Sequence, residues 1–469
     1  MKKNLFGLLA LGVLAFSCSK DADLGNVDLP IDKVEGYLSL QIGGTQTRTT
    51  GTPTEEGLPA ESVIDGVTIV FANSTGQISA VKAPVISNGV TEPIKIAVGT
   101  HYIYALVNNA VTVSPGENIQ RIINVNSVSE ALSGYKDGKF FMTNQHHSSS
   151  DVAGVAVNIT EANTLNSPAT ATIRVDRVSA KITDETNTPD ITALVSNYSG
   201  VIDEVDVTGF VALNINKQFN LIQQWSLDNE HGSALTSEVL HTPVYATGTL
   251  VANQFYNNIG EYVTLDKDGD GNIKSIIDKT ESTPGLYTKT PVYVTENRPT
   301  MQFYGSSSQP TAGRGETTGV IYRVQAMKGG ANSPTFYAYN GIAYADLSVI
   351  DALPDFQGQD LTTLPVDELR AKGVKAYVNG VMYYSYFILD PNISYQYSGN
   401  NYYGVFRNSV YKLAINKFSG LGDDVPGGGT VDPTEPGEPG NPPIDTDEAY
   451  ITVTVKVNPW VLNTIGIDF

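Results

Sequence analysis

The stretch Lys375-Ala-Tyr-Val378-Asn379-Gly380-Val381-Met-Tyr-Tyr-Ser-Tyr-Phe387-Ile-Leu389 decides the fold class. Its arms are β-branched and aromatic, the side chains that suit a pleated, half-buried surface. Between them sits Asn-Gly, which most readily takes the positive φ angles of a type I′ turn. The expectation is a hairpin of Lys375–Val378 against Val381–Leu389. Similar short segments recur outward from it. Upstream are Val67–Phe71, Ile94–Val98, Tyr102–Val107, Val152–Ile159, Ala171–Ile182 and Val201–Ile215, then Tyr287–Thr295, Gly319–Ala326 and Phe336–Ala345. Downstream are Tyr402–Phe406 and Val410–Phe418. Helical periodicity is confined to Ser127–Leu132 and Val366–Lys372. Many short strands divided by turn signals point to β-sandwiches. A chain of 469 residues, at about 150 per domain, accommodates two of them, meeting near residues 220–235.

Composition narrows the function. Forty-nine acidic residues against 29 basic ones give a formal charge of −20. Such a polyanion repels nucleic acid and anionic lipid. A single cysteine excludes an intrachain disulfide, and with five histidines it leaves little for a structural zinc site. There is no Gly-x-Ser-x-Gly elbow, Walker loop or dinucleotide glycine fingerprint. Carboxylate pairs are too abundant to single out a glycosidase. No catalytic residues are expected.

The N-terminus is an address. Lys2 and Lys3 precede an apolar core from Leu5 to Phe16, too short to span a bilayer and suited to a secretory signal. It ends at Ser17-Cys18, which resembles a bacterial lipoprotein signal with Cys18 acylated. An ordinary signal peptide with an incidental cysteine is the alternative. The acidic run after Cys18 is like those that send Bacteroidota lipoproteins to the outer surface.

Two apolar strands stand at the ends of the chain. In Tyr37–Ile42, Leu38, Leu40 and Ile42 share one face, the period-2 mark of a half-buried strand. The Gly43–Leu58 stretch that follows shows no strand pattern, and Arg48 is its only basic residue, so the Arg48–Thr49 bond is open to a protease. At the other end, residues 422–448 are Pro, Gly and acid with almost no apolar side chains, the composition of an extended linker. Its 27 residues reach up to about 90 Å. Beyond it, Ile451, Val453, Val455 and Val457 alternate with polar residues, and Trp460 follows Pro459. A strong strand on a long tether asks for an acceptor groove.

Three further features carry chemistry. Asp266, Asp268, Asp270 and Asn272 match the first half of an EF-hand-type calcium loop, with Gly271 at the sixth position. The twelfth is Ile277 rather than Glu, and an acidic hairpin turn without metal accounts for the same residues. His146-His147 reads as part of a polar loop, since neighbours on an extended chain point apart. Tyr383–Phe387 and Tyr402–Phe406 suit strands packed across a sandwich better than stacking on sugars.

The segments 379–387, Tyr403-Gly-Val-Phe-Arg407-Asn408-Ser-Val-Tyr-Lys412-Leu, Gly420-Leu-Gly and Val455-Lys-Val-Asn-Pro-Trp460 together resemble the fimbrillin family of Bacteroidales, the type V pilins. Within it they look most like the major subunits of minor fimbriae. Val175-Asp-Arg177-Val-Ser-Ala-Lys181-Ile resembles that family's Arg-x-x-Ala-Lys strand. The resemblance implies an all-β chain of two antiparallel β-sandwich (transthyretin-like) domains with a C-terminal donor-strand extension. It also implies a lipoprotein precursor cut after Arg48 by an arginine-specific protease, losing its first strand and accepting the C-terminal strand of another subunit. The expected organisation is a signal peptide (1–17), a propeptide with the removable strand (18–48), sandwiches over 49–225 and 226–421, a linker (422–448) and the C-terminal strand segment (449–469). The implied partners are further copies of the chain, related tip and anchor pilins, and the outer membrane through the precursor's lipid. No cofactor is expected, with calcium at the 266–272 loop held open. Alternatives are a glycan-binding surface lipoprotein still anchored through Cys18, or a secreted carbohydrate-active enzyme.

Overall fold

A computed structural model describes most of residues 34–461. Residues 1–33, 44–53, 430–449 and 462–469, and shorter stretches within 109–152, 228–254, 281–310 and 391–402, lie outside the described residues.

The chain is all-β, built as two sandwiches. In the first, one sheet sets Glu35–Ile42 between Ala169–Ile173 on one side and Ile94–Ala97 with Val90–Thr91 on the other. The facing sheet runs Val175–Arg177, Met142–Asn144, Gly99–Val107, Val67–Ala72, Ile78–Lys82, with Val155–Ile159 also on Gly99–Val107. Leu38, Leu40, Ile69, Phe71, Ile103 and Ile173 interdigitate between the sheets, each with no exposed surface. Close packing of two apolar faces is what closes a sandwich.

In the second sandwich, one sheet runs Glu55–Glu56, Ile451–Val461, Ser409–Phe418, Ser179–Asp184, Val292–Thr295. It faces a sheet of Glu204–Leu213, Gly319–Lys328 and Val381–Phe387 over a core that includes Ile182, Phe210, Tyr322, Tyr384, Tyr411 and Leu413. A three-stranded sheet, Ile342–Tyr344, Phe336–Tyr339 and Lys375–Tyr377, flanks it, with the short helices Leu347–Asp351 and Val366–Ala371 inserted between its strands.

Four local expectations need correction. The arms around Asn379-Gly380 do not pair with each other. The two residues do take positive φ angles, 51° and 72°, but Lys375–Tyr377 pairs with Phe336–Tyr339 while Val381–Phe387 pairs with Gly319–Lys328. The turn is a corner between sheets. Conversely, Phe336–Ala345 is a hairpin rather than one strand, turning at Asn340-Gly341. Ser127 and Val128, expected to begin a helix over Ser127–Leu132, lie instead in the strand Asn126–Val128 paired with Gln218–Asn220. The stretch 422–429 is packed rather than extended: Asp424 and Val425 are buried, and Asp423 exchanges backbone hydrogen bonds with Tyr383, both 2.8 Å. The change of sandwich also comes early. Pairing crosses over at Val178, between Val175–Arg177 and Ser179–Asp184, well before the expected 225/226 division.

Candidate assembly site

Glu35–Ile42 is hydrogen-bonded along both edges. Leu38 to Ile42 run parallel to Ala169–Ile173, and Glu35 to Leu38 run antiparallel to Ile94–Ala97. Leu40 N donates to Thr91 Oγ1 at 3.0 Å, and Ile42 N donates to Gly89 O at 2.7 Å. Gly36 has no room for a side chain, since a Cβ there meets Ile159 Cγ2 and Thr160 O, each at 2.7 Å. Burial of Leu38, Leu40 and Ile42 contributes roughly 5–9 kcal/mol before entropy. Taking this strand out leaves two rows of unpaired backbone groups over an apolar floor, a costly state that another alternating strand relieves.

Cys18, Arg48 and Thr49 lie outside the described residues. The chain leaves the first sandwich at Gly43 and is next described at Thr54, on the second sandwich. There Glu55 and Glu56 pair parallel with Trp460 and Val461, and Glu55 meets Lys412 at 2.8 Å. A few residues on, Glu61 is buried at the junction of the two sandwiches. Its carboxylate accepts from Lys181 Nζ (2.9 Å), Tyr293 OH (2.7 Å) and Leu58 N (2.7 Å), while its carbonyl accepts from Arg177 Nε (2.9 Å). Burial pushes the Glu61 carboxyl up, but the bonds from Lys181, Tyr293 and Leu58 outweigh it and hold it below its ordinary 4.5. A carboxyl lowered by folding stabilises the fold above its unfolded value, and that stability is lost as pH falls through the lower folded value. Wild type should therefore exceed Glu61→Gln in thermal stability at pH 7, with the gap closing as pH falls below about 4.5. Melting curves across that range check this; a gap independent of pH counts against it. Glu61 thus fixes the chain just after the 44–53 stretch, independently of the strand before it.

The junction gathers the residues on which the family resemblance was drawn. Arg177 and Lys181 reach Glu61, and Asn408 Nδ2 donates to Asp176 Oδ1 at 2.8 Å. Burial pulls the Arg177 guanidinium down to about 10, against the carboxylates of Glu61 and Asp176, so it stays charged at neutral pH. Arg407 and Glu296 are a fully buried pair: Nε donates to Oε2 at 2.8 Å, and Nη2 donates to Oε1. Arg407 also donates to the carbonyls of Leu221 and Asn220, and Gln223 Nε2 donates to Glu296 Oε2 at 2.9 Å. Phe140 of the first sandwich meets Tyr293 of the second edge-on, ring centroids 4.8 Å apart. Glu61, Asp176 and Glu296 were missed from sequence. The available signal was a carboxylate at the end of the Val-Tyr-Val-Thr strand at 292–295, which the chain buries only if a cation awaits it.

Ile451–Val461 lies antiparallel to Ser409–Phe418, from Ile451 opposite Phe418 to Pro459 opposite Ser409. Ile451 and Val453 are half-buried against the second core, and Thr452 and Thr454 are exposed. The side chains of Val455, Val457 and Trp460 lie outside the described residues. In this chain the strand occupies its own second sandwich.

Asp266, Asp268, Asp270 and Asn272, where calcium was held open beside an acidic turn, stand at a hairpin turn. They close the hairpin of Val263–Lys267 and Ile273–Asp278. Asp268 Oδ1 accepts from the backbone N–H of Asp270 and Asn272, both 2.9 Å, which lowers its carboxyl pKa. Asp266 lies 3.6 Å from Lys274 Nζ. Among the described residues no group of three or more His, Cys, Asp or Glu is placed to hold a metal ion.

Residues 375–465 match the family model described as major fimbrial subunit protein type IV, fimbrillin, C-terminal. The match runs from the Lys375–Tyr377 strand past the end of the C-terminal strand. The C-terminal region resembles that of a fimbrillin. No curated protein matches the chain. Among solved structures it is similar to a fimbrilin (fimA) from Porphyromonas gingivalis W83, at 15% identity and a TM-score of 0.45, covering 91% of this chain and 98% of that one. It is also similar to the tip fimbrial protein Mfa3 from Porphyromonas gingivalis with C-terminal truncation, at 12% identity, a TM-score of 0.38, and 91% and 100% coverage. A fimbrial assembly protein from Parabacteroides distasonis ATCC 8503 follows at 10%, 0.29, and 82% and 91%.

Proposed function

We propose that the chain is a structural pilus subunit of the fimbrial stalk, without enzymatic activity. In this reading it is exported as a lipoprotein through Cys18 and cut after Arg48. It then polymerises at the cell surface by exchange of β-strands. The observation that carries the reading is the placement of Glu35–Ile42. It is an interior strand that completes an apolar core, and the chain after it is anchored separately through Glu61. Cutting between these two points releases the strand without disturbing the retained chain. The donor is the C-terminal segment, whose alternating Ile451–Val457 face matches a slot vacated by Leu38, Leu40 and Ile42. Gly43 and Thr54 lie on different sandwiches, which supports Arg48–Thr49 as a bridge between them.

The test is the N-terminal residue of fibre-bound protein. Thr49 is expected, with Arg48→Ala giving a folded, full-length monomer labelled by a palmitate analogue. Cys18 at the N-terminus of assembled fibres, or equal label in Cys18→Ala, overturns the scheme.

A further inference from the structure

We infer that a polar cavity on the outer face of the second sandwich is a sugar-binding site. The inference goes beyond assembly, because none of the residues involved belongs to Glu35–Ile42, to Ile451–Val461 or to the junction.

The face of Gly319–Lys328 turned away from the main core changes character along its length. Ile321 is covered by an apolar cluster with Val211, Leu213, Tyr262, Phe387 and Val425. Two and four residues on, on the same face, stand Arg323 and Gln325. Where the apolar cover stops, a cavity of about 820 Å³ opens over them. That size falls within the ordinary range for small-ligand sites.

Its chemistry is specific. In the neighbouring strand the pairing skips Thr208, between Val207 opposite Val324 and Gly209 opposite Arg323. Such a bulge re-aims a side chain. Thr208 Oγ1 donates to Arg323 O at 2.9 Å and accepts from Arg323 Nη1 at 3.1 Å, which sets the guanidinium at the cavity. On the other wall, Asp278 Oδ1 accepts from both N and Oγ1 of Thr280 at 2.7 Å. The Thr280 hydroxyl lies 3.2 Å from the Tyr383 hydroxyl, and the Tyr383 ring is tilted against that of Tyr287, centroids 5.8 Å apart. Asn332 and Asn379 add amides to the lining.

Among the described residues neither Arg323 nor Asp278 makes an ion pair. Asp424, also in the lining, is neutralised by Arg370 at 2.8 Å. The cavity therefore presents one guanidinium with spare N–H donors and one carboxylate that keeps acceptor capacity beyond its bonds from Thr280 and the Tyr383 hydroxyl, beside two tyrosines. An apolar molecule leaves these groups unpaired, at a cost. A phosphate meets as much negative as positive charge. A sugar ring satisfies the set. Its hydroxyls donate to Asp278 and accept from Arg323, and its C–H face packs on a tyrosine ring.

The experiment is saturation-transfer NMR on the full chain with free galactose, mannose, fucose, N-acetylglucosamine and N-acetylneuraminic acid. At least one sugar should give a signal, and Arg323→Gln and Asp278→Asn should weaken its binding roughly tenfold or more. Asn332→Trp, at an exposed rim position, should block it without touching the cavity floor. Melting curves verify that the variants fold. No signal from any of the five sugars, or a signal unchanged in both Arg323→Gln and Asn332→Trp, overturns the assignment. Fibre formation should be normal in all three variants, so failure here and failure of the assembly scheme are distinguishable.

Discussion

Replacing Glu296 with Ala should cost about 3–5 kcal/mol, the largest loss expected from any single substitution at the junction. Arg407 sits fully buried with Glu296 as its only carboxylate among the described residues. Removing that partner strands a guanidinium whose remaining bonds go to the carbonyls of Leu221 and Asn220. It also removes the acceptor of the bond that the Gln223 amide donates to Glu296. The damage falls on both sandwiches, because Leu221 packs in the first half's outer cluster while Arg407 precedes the central strand of the second. Domain stabilities lie near 5–15 kcal/mol, so a loss of this size populates partly unfolded precursor under mild conditions. Arg407→Ala should cost a similar amount, and the double variant clearly less than the sum, since the second change removes a charge already stranded. Denaturant midpoints of the four proteins measure the coupling. A Glu296→Ala shift below about 1 kcal/mol, within the range of an exposed pair, means that the pair is not structural.

What the sequence revealed was local. The period-2 faces of Leu38–Ile42 and Ile451–Val453 are visible because alternation needs only neighbouring residues. Turn chemistry is equally local: Asn340-Gly341 and Asn379-Gly380 take nearly the same φ angles. Yet the first closes a hairpin and the second parts two strands into different sheets. What separates them is tertiary. Tyr377 stacks on Phe336, ring centroids 4.7 Å apart, while Met382 and Tyr384 turn into the same core from the opposite sheet. No short-range pattern reports which core a strand will find. The same limit hid the parallel partner of Glu35–Ile42, which lies at Ala169–Ile173. It also hid the burial of Asp424. Next to glycines, an aspartate reads as linker, until Arg370, 54 positions away, turns out to donate to it. Charged residues at the junction were legible only as a family pattern. Their reason, pairing across two sandwiches, is a matter of long-range geometry.

That burial decides where a test of strand donation must cut. A chain ending at Gly420 loses more than the tether. It discards Leu421 and Val425 from two cores and strands Arg370 without Asp424, which alone costs about 3–5 kcal/mol. Such a protein should unfold or aggregate whatever the role of the last strand. A chain ending at Gly429 keeps all of these contacts. It loses Ile451–Val461, whose outer edge has, among the described residues, only the two-residue partner Glu55–Glu56 and whose Ile451 and Val453 are half-buried. Ile451 and Val453 should account for a few kcal/mol of the stability lost, given about 1.5–3 for each fully buried aliphatic side chain. The Gly429-ended protein is expected to fold, to be cut after Arg48, and to remain monomeric, with its vacated slot open to added peptide Tyr450–Phe469. Wild type under the same protease should give a ladder of multimers stable in SDS without heating. A ladder from the Gly429-ended chain shows that the donor lies elsewhere. Unfolding of that chain, with the Leu421, Asp424 and Val425 contacts intact, shows that Ile451–Val461 is a permanent member of its own sandwich rather than a strand for exchange.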